Sequence, residues 1–386
     1  MVLDYGGRRV IIVDLNPMVH RYFTAVRENM LTTTVEIDGK VVTVDTTVPS
    51  LVFKQLVRLT GYGKHYLVVV HDRPQYSRKA YFQEHLIKGS ITGSTSGYKS
   101  SRGYVNPRMV QAQEIIINML KKAGVMVLGK DNYEADDIVA EVVRVAKVQY
   151  PQAPIYVIGN DMDFAPLVDE QVSFYRYTRK KEYSEEGHLA LTKHAQITPR
   201  SYQRECESVT ANKKLQVPYN TLLLAKLVRG DKSDDIPPIK GWTPTKYNKM
   251  VEGLIEDGID IANVFRYHSW GVKYQLLDTD GNVRGEVDDF MDVPEDFKVR
   301  KLVKVLLERP KEIDSWRDIL GKYMTESEIN EVYARFMGMN LNGAFTGFSQ
   351  GTLNRMPLRL STKVPFPCLD VMKLQRVVSV LKIHIS

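Results

Sequence analysis

The stretch IYVIGNDMDFAPL, from Ile155 to Leu167, decides the fold. Its apolar first part, which ends at Ile158, has the length and composition of a short buried strand, and Gly159 breaks it. Asp161 and Asp163 follow directly. A strand that delivers two carboxylates just beyond its end predicts a polar site at the edge of a sheet.

Other apolar runs of the chain also end on acidic residues. Val10–Val13 is followed by Asp14, Leu67–Val70 by His71 and Asp72, and Val125–Leu128 by Glu134, Asp136 and Asp137. Because helical patterns separate these runs, they predict an α/β fold with a mainly parallel central sheet flanked by helices. The carboxyl ends of parallel strands lie at one edge, so the acids from all four segments are expected to converge there.

Acids that converge in this way predict a divalent metal site. The expected set is Asp14, Asp72, Glu134, Asp136, Asp137, Asp161 and Asp163. Carboxylates this close would raise each other's pKa values unless cations lay among them. Ligands that are all oxygen suit Mg²⁺ or Mn²⁺. A helix cap is the alternative for any single acid near Glu134, but three acids in four residues exceed what a cap requires.

Composition indicates a soluble globular protein. The 386 residues are 43% hydrophobic and 26% charged, and no apolar run approaches the roughly 20 residues of a membrane span. The chain has two cysteines and no signal-peptide pattern, so we expect a cytoplasmic protein. The net charge of +7 is weak evidence for a polyanionic partner.

Residues 73–108 interleave basic and aromatic side chains around a flexible tract rich in Gly, Ser and Thr. Cations that meet phosphates and rings that stack on bases are typical of single-stranded nucleic-acid binding. A solvated surface loop is the alternative. The candidate contacts are Arg78, Lys79, Tyr98, Lys99 and Arg102.

A second candidate contact with nucleic acid lies further along the chain. A helical pattern over 219–228 stops at Gly230, and a Pro-rich turn leads to a new helix from about Pro244. This is the outline of a helix-turn-helix. Backbone amides at the turn, together with Lys240, Gly241 and Lys246, can hold a DNA backbone without reading its sequence.

The motifs VDLN at Val13, VVVHD ending at Asp72, YKSSR at Tyr98, EADD at Glu134, GNDMDF at Gly159 and GDKSDDIPPIKG at Gly230 stand in a familiar order. Over roughly residues 10–250 the chain resembles the 5′-nuclease family of flap endonucleases and 5′–3′ exonucleases, especially its compact bacterial and bacteriophage members. The resemblance implies a PIN-like core with a helical arch and a helix-3-turn-helix region.

The resemblance also implies two Mg²⁺ sites, for which Mn²⁺ can substitute. Asp14, Asp72, Glu134 and Asp136 would surround the first ion with Asp137 nearby, and Asp161, Asp163 and Asp234 the second, with Asp231 joining through water. Asp136 would lie between the ions, so Asp136 and Asp163 are expected to be catalytic. Lys99 and Arg102 would face the scissile phosphate.

The expected function is therefore a structure-specific 5′-nuclease with a two-metal mechanism, acting in DNA replication or repair. Its expected partners are branched or nicked duplex DNA, RNA–DNA primers and replication proteins, with the chain a monomer. The alternatives are a PIN-like ribonuclease acting on RNA and a catalytically inactive DNA-binding module. The chain departs from the family pattern at Trp242 and Thr243, where a Gly-Ile-Gly turn is common, and at His71, where Phe is common.

Three regions are expected. They are a nuclease core at 1–180 with the arch at about 73–108, a helical region at 181–262 with the helix-turn-helix at about 220–250, and a C-terminal extension at 263–386. Within the extension, the patterns predict a hairpin over Val272–Val287 and helices over Lys298–Leu307 and Glu326–Met337. The stretch Leu369–Ile385 predicts a packed terminal helix or strand.

Overall fold

The computed structural model describes residues 7–26, 31–37, 40–73, 106–131, 133–168, 171–177, 194–197, 222–259, 266–287, 298–310, 313–339, 344–349, 352–356, 360, 364–383 and 385. These residues form two compact units. One contains the described parts of 3–74, 104–198 and 359–386, and the other contains those of 199–358.

A six-stranded sheet is the centre of the first unit. Its strands are β1 (Val10–Asp14), β4 (Tyr66–Val70), β5 (Met126–Leu128), β6 (Ile155–Gly159), β7 (Val172–Tyr177) and β8 (His194–Ile197). They lie in the order β5-β4-β1-β6-β7-β8, and all neighbours are parallel except β7 and β8. The prediction of a mainly parallel sheet is confirmed.

Helices connect these strands and cover the sheet. They are α1 (Leu15–Ala25), α2 (Thr47–Leu59), α3 (Pro107–Lys122) and α4 (Ala135–Gln149). Ile11 and Leu67 share a core cluster with α1, α2 and α3, whereas Ile12 and Val68 alternate with them along the strands and are equally buried. Burial on both faces explains why these strands are continuous apolar runs. A hairpin of β2 (Thr32–Ile37) and β3 (Lys40–Asp45) precedes α2.

The last residues of the chain belong to the core of the first unit. Leu67 N, near the start of β4, donates a hydrogen bond to Pro367 O at 2.9 Å. Helix α9 (Val371–Val378) then buries Leu374, and Ile383 and Ile385 follow it into the same cluster as α1 and α2. The prediction of a packed terminal helix or strand is confirmed, and the element is a helix.

The second unit contains the predicted pair of helices and a separate sheet. Its elements are α5 (Leu222–Arg229), α6 (Pro244–Glu256), β9 (Arg266–Leu277), β10 (Val283–Val287), β11 (Lys298–Pro310), α7 (Ile313–Leu320), α8 (Glu326–Met339), β12 (Ala344–Ser349) and β13 (Thr352–Met356). The hairpin of β9 and β10 and the helix α8 are confirmed. Among the helices in the described ranges, none is both long and apolar enough to cross a membrane.

The prediction of a helix over Lys298–Leu307 is wrong. This segment is the strand β11, which pairs antiparallel with the whole of β9. Val299, Leu302, Val303 and Leu306 have a spacing that also fits a helix face, so periodicity favoured the wrong element. The β-branched valines suit a strand, and the long partner strand β9 supplies the backbone hydrogen bonds that override the local pattern.

Candidate metal centre

The ends of β1 and β6 approach each other closely. Asp14, the last residue of β1, is buried at the start of α1. A Cβ atom built on Gly159, the last residue of β6, would lie 3.6 Å from Asp14 Cβ and 2.7 Å from the ring of Phe164. Only glycine therefore fits at Gly159 without a shift of its neighbours, and this close fit brings the chain into the Asp161–Asp163 turn beside β1.

Asp72 lies at the amino-terminal end of α4. Its Oδ1 accepts a 2.8 Å hydrogen bond from the backbone N of Ala135, the first residue of that helix. An anionic group is favoured here because the first backbone N–H groups of a helix have no partner within it. The Asp72 carboxylate, which follows β4, is thus hydrogen-bonded to the start of α4, where the EADD motif lies.

His71, next to Asp72, is a buried and closely packed ring. A Cβ atom built on Gly129 would lie 2.4 Å from this ring, and Nδ1 is 3.0 Å from the carbonyl oxygen of Asp72. Burial lowers the pKa of His71, and the positive charges of Lys121 and Arg73 act in the same direction. A neutral histidine therefore occupies the position where the related proteins commonly have Phe.

Two of the three acids in the EADD motif form a helix cap. The backbone N of Glu134 donates to Asp137 Oδ2 at 3.2 Å, and the side chain of Glu134 accepts from the backbone N–H of Asp137. Both side chains are buried. This reciprocal pair is a capping box that stabilises the start of α4. The roles of Glu134 and Asp137 at an ion stay a prediction.

The remaining acid of the motif joins the acids that follow β6. Carboxylate oxygens of Asp136, Asp161 and Asp163 all lie within 4.8 Å of one another, and all three residues are half-buried. Asp163 N donates to Asp161 Oδ1 at 3.0 Å, and this hydrogen bond stabilises the turn that contains both residues. Three anionic oxygen donors at this separation repel one another and suit a hard divalent cation, so these residues fit Mg²⁺ or Mn²⁺.

The other predicted ligands, Asp231 and Asp234, belong to the second unit. Asp231 is buried and forms a 2.7 Å ion pair with Lys226 of α5. Asp234 follows in a 3₁₀ turn, where its backbone N donates to Asp231 O at 3.3 Å. The second ion site, with these two acids, stays a prediction. Arg78, Lys79, Tyr98, Lys99 and Arg102 lie outside the described residues, and their roles also stay predictions.

The turn between α5 and α6 is tightly built. Gly230 has φ +78°, and a Cβ atom there would lie 2.3 Å from Ile236 O, so glycine is required. Lys240 and Gly241 are exposed, and Gly241 has φ +81°. Its backbone is therefore accessible, as the prediction of a phosphate contact requires. That contact stays a prediction.

Trp242, which departs from the family pattern, is an anchor of this turn. It is only 2% exposed, and its Nε1 donates a 2.7 Å hydrogen bond to Glu328 Oε1 of α8. Lys246 Nζ lies 3.2 Å from the same oxygen and 4.1 Å from the centroid of the Trp242 ring. The predicted DNA contact Lys246 is therefore held by a carboxylate and an aromatic face.

Sequence reasoning missed the supporting residues on α8. Thr325-x-x-Glu328 is a capping-box signature, and Thr325 N donates to Glu328 Oε2 at 2.7 Å. That signature was sufficient to place the helix start. Arg335 is fully buried and donates to Leu227 O at 3.0 Å and to Pro237 O at 2.7 Å. These partners are about a hundred residues away in sequence, and no local pattern signals them.

The family model described as 5′-3′ exonuclease, N-terminal resolvase-like domain, matches residues 9–193. This match contains β1 to β7 and the Asp136–Asp161–Asp163 cluster. Just under half of the chain therefore matches this domain. The ordered motifs of the sequence and the acidic sheet edge of the structure agree with the match.

Known relatives of this 5′-nuclease domain include larger proteins. The chain is 25% identical over 294 residues to DNA polymerase I of Deinococcus radiodurans, a match that covers 74% of this chain and 26% of the polymerase. The chain thus spans about a quarter of the length of that curated relative.

The chain is also similar to two solved structures. The bacteriophage T5 D15 flap endonuclease in complex with DNA and metal ions has 14% identity and a TM-score of 0.43, with 67% of this chain and 78% of that chain covered. Human GEN1 in complex with Holliday junction DNA has 12% identity and a TM-score of 0.36, with 90% and 81% covered.

Proposed function

We propose that this protein is a metal-dependent 5′-nuclease that hydrolyses phosphodiester bonds at 5′ ends, flaps or RNA primers of duplex DNA. The observation that carries the proposal is the cluster of Asp136, Asp161 and Asp163 within a 5′–3′ exonuclease domain. The cluster lies where strand ends of a parallel sheet meet, which is the usual ligand position of such folds.

The acidic cluster suits phosphodiester hydrolysis. When bound, divalent ions supply a water of lowered pKa and neutralise charge on the attacking and leaving oxygens. As the resemblance implies, the first such ion would be held by Asp14, Asp72, Glu134 and Asp136, and the second by Asp161 and Asp163, with Asp136 between them. Lys99 and Arg102 would donate to the phosphate oxygens on which negative charge increases during the reaction.

Duplex DNA is the proposed substrate for two reasons. The curated relative is a DNA polymerase I, and the turn between α5 and α6 exposes Lys240 and the backbone of Gly241. Contacts of this kind bind the phosphate backbone without reading bases, so they select the shape of a substrate rather than its sequence. Mg²⁺ is the proposed physiological ion because all the donors are oxygen.

Cleavage of 5′-labelled substrates tests this proposal. Flap, nicked and RNA-primed duplexes and a single-stranded RNA are incubated with Mg²⁺, using the wild type, Asp163→Asn and the surface control Asp280→Asn. We expect 5′ cleavage of the duplexes by the wild type and the control, and a loss of about a hundredfold or more in Asp163→Asn. Equal cleavage by Asp163→Asn would refute the site, and cleavage of the RNA alone would favour a ribonuclease.

A further inference from the structure

An amide side chain, that of Asn16, contacts the predicted metal ligand Asp72 at two points. Asn16 Nδ2 donates to Asp72 Oδ2 at 2.8 Å. In return, the backbone N of Asp72 donates to Asn16 Oδ1 at 3.4 Å. A backbone N–H can only donate, so the oxygen of the Asn16 amide must face it. This fixes the orientation of the amide and directs its NH₂ group at the carboxylate.

Gln113, on α3, reinforces that orientation. Its Nε2 donates to Asn16 Oδ1 at 2.9 Å. The hydrogen bonds between side chains therefore run from Gln113 to Asn16 and from Asn16 to the Asp72 carboxylate. Asp72 Oδ1 accepts separately from Ala135 N at 2.8 Å. The network joins α1, α3, the end of β4 and the start of α4, and Asn16, Asp72 and Gln113 are all half-buried.

This network constrains both oxygens of the Asp72 carboxylate. The torsion that rotates a carboxylate is soft, so an Asp side chain with one partner samples a broad range of orientations. Here a donor on each oxygen limits that rotation. An ionised carboxylate has about four lone-pair sites, so two donors do not exhaust what it can accept. Hydrogen bonds that orient a ligand in this way commonly change metal affinity by about 10–100-fold.

We propose that Asn16 is a positioning residue for Asp72, that Gln113 sets the orientation of Asn16, and that Mg²⁺ affinity depends on both. This inference rests on the proposed function, in which Asp72 contributes to the first ion site. Neither residue is acidic, and for that reason the sequence patterns that single out carboxylates do not include them.

Two substitutions separate positioning from a merely structural role. Asn16→Ala removes the amide that contacts Asp72. Gln113→Glu is the sharper variant, because it leaves Asn16 and Asp72 unchanged but cannot donate to Asn16 Oδ1 when ionised. Gln111→Glu, the same substitution on the same helix, is the matched control.

The experiment measures Mg²⁺ binding by isothermal titration calorimetry without DNA, urea unfolding in EDTA, and flap cleavage as a function of Mg²⁺ concentration. We expect the Kd for Mg²⁺ to rise about tenfold or more in Asn16→Ala and Gln113→Glu. Cleavage by both variants should recover at high Mg²⁺, and Gln111→Glu should match the wild type. Unfolding in EDTA identifies any variant that fails to fold, and either Asn16→Ala or Gln113→Glu then suffices for the test.

Wild-type Mg²⁺ affinity in folded Asn16→Ala or Gln113→Glu would overturn this inference while leaving the proposed function intact. If the wild type itself neither binds Mg²⁺ nor cleaves a flap, the proposed function fails and this inference fails with it.

Discussion

Glu328 Oε1 accepts hydrogen bonds from both Trp242 Nε1 at 2.7 Å and Lys246 Nζ at 3.2 Å, so one carboxylate of α8 holds two residues of the turn that we propose binds DNA. Its other oxygen closes the capping box with Thr325. A turn that lacks the glycines common in this family is therefore stabilised by an indole and a carboxylate. Residues well beyond the turn determine its geometry.

Replacement of Glu328 should destabilise the second unit in a pH-dependent way. Burial alone would raise its pKa, but hydrogen bonds from Thr325, Trp242 and Lys246 hold the pKa of Glu328 below its ordinary 4.5. A lowered pKa means that the unfolded state binds the proton more readily, so this stabilisation is present above pH 4.5 and is lost as the pH falls below that value. Urea unfolding of Glu328→Gln at pH 7 should show a loss of about 1–2 kcal/mol.

Glu326→Gln is the matched control, because Glu326 is an exposed acid in the same helical turn. The difference in free energy of unfolding between the wild type and Glu328→Gln should decrease as the pH falls below 4.5. A difference that stays constant with pH, or an equal loss of stability in Glu326→Gln, would contradict this account.

Replacement of Arg335 should strongly destabilise the protein. Its buried guanidinium donates to Leu227 O and Pro237 O and pairs with the buried Glu331. Arg335→Met would leave the Glu331 charge without its partner, and such losses are about 3–5 kcal/mol. Urea unfolding should show a smaller loss when Arg335→Met is combined with Glu331→Gln, because the stranded charge is then absent. If the double variant is the less stable of the two, the charge argument is wrong.

Gly159→Ala should disturb the metal centre through packing. The added methyl group would lie 2.7 Å from the ring of the fully buried Phe164, so the ring or the strand end must move. Overpacking of this kind costs about 1–3 kcal/mol, and we expect weaker Mg²⁺ binding as well because Asp161 and Asp163 share the displaced turn. Thermal unfolding and calorimetry measure both effects.

Gly285→Ala is the control for that substitution, because its Cβ would make only an ordinary 3.8 Å contact with Leu276. It should change neither quantity appreciably. Wild-type stability and Mg²⁺ affinity in Gly159→Ala would show that the close approach of the strand ends does not constrain the site.

Lys240 and Lys246 should each contribute one phosphate contact. Replacing either with Ala should weaken binding of a nicked duplex and reduce the slope of log K against log salt by about one. The exposed Lys122 of α3, changed to Ala, is the control. Binding is measured in EDTA, so that cleavage does not interfere. If the slope of log K against log salt were unchanged in both Lys240→Ala and Lys246→Ala, the duplex would have to bind at another surface.

The sheet and part of its acidic edge follow from sequence alone, for a clear physical reason. Buried parallel strands are continuous apolar runs, and their carboxyl ends lie at one edge of the sheet, so the sequence predicts that Asp136, Asp161 and Asp163 lie together. The same logic did not reveal that Glu134 and Asp137 form a capping box, because an acid in a first helical turn serves a cap and an ion equally well.

Long-range partners explain what the sequence patterns could not predict. Asn16 contacts Asp72, which is 56 residues away in sequence, and Gln113 contacts Asn16, which is 97 residues away. No local pattern signals either contact. Arg335 looks like a surface residue of an amphipathic helix, yet its partners lie near Leu227 and Pro237. The apolar spacing of β11 fits a helix as well as a strand, and pairing with β9 decides between the two structures.

The most direct test of the central claim is anomalous diffraction from a crystal soaked in Mn²⁺, which replaces Mg²⁺ at oxygen-ligand sites. The account predicts an anomalous peak within coordination distance of Asp136, Asp161 and Asp163, and its loss in crystals of Asp163→Asn. Mn²⁺ that binds only away from these three carboxylates in the wild type would contradict it.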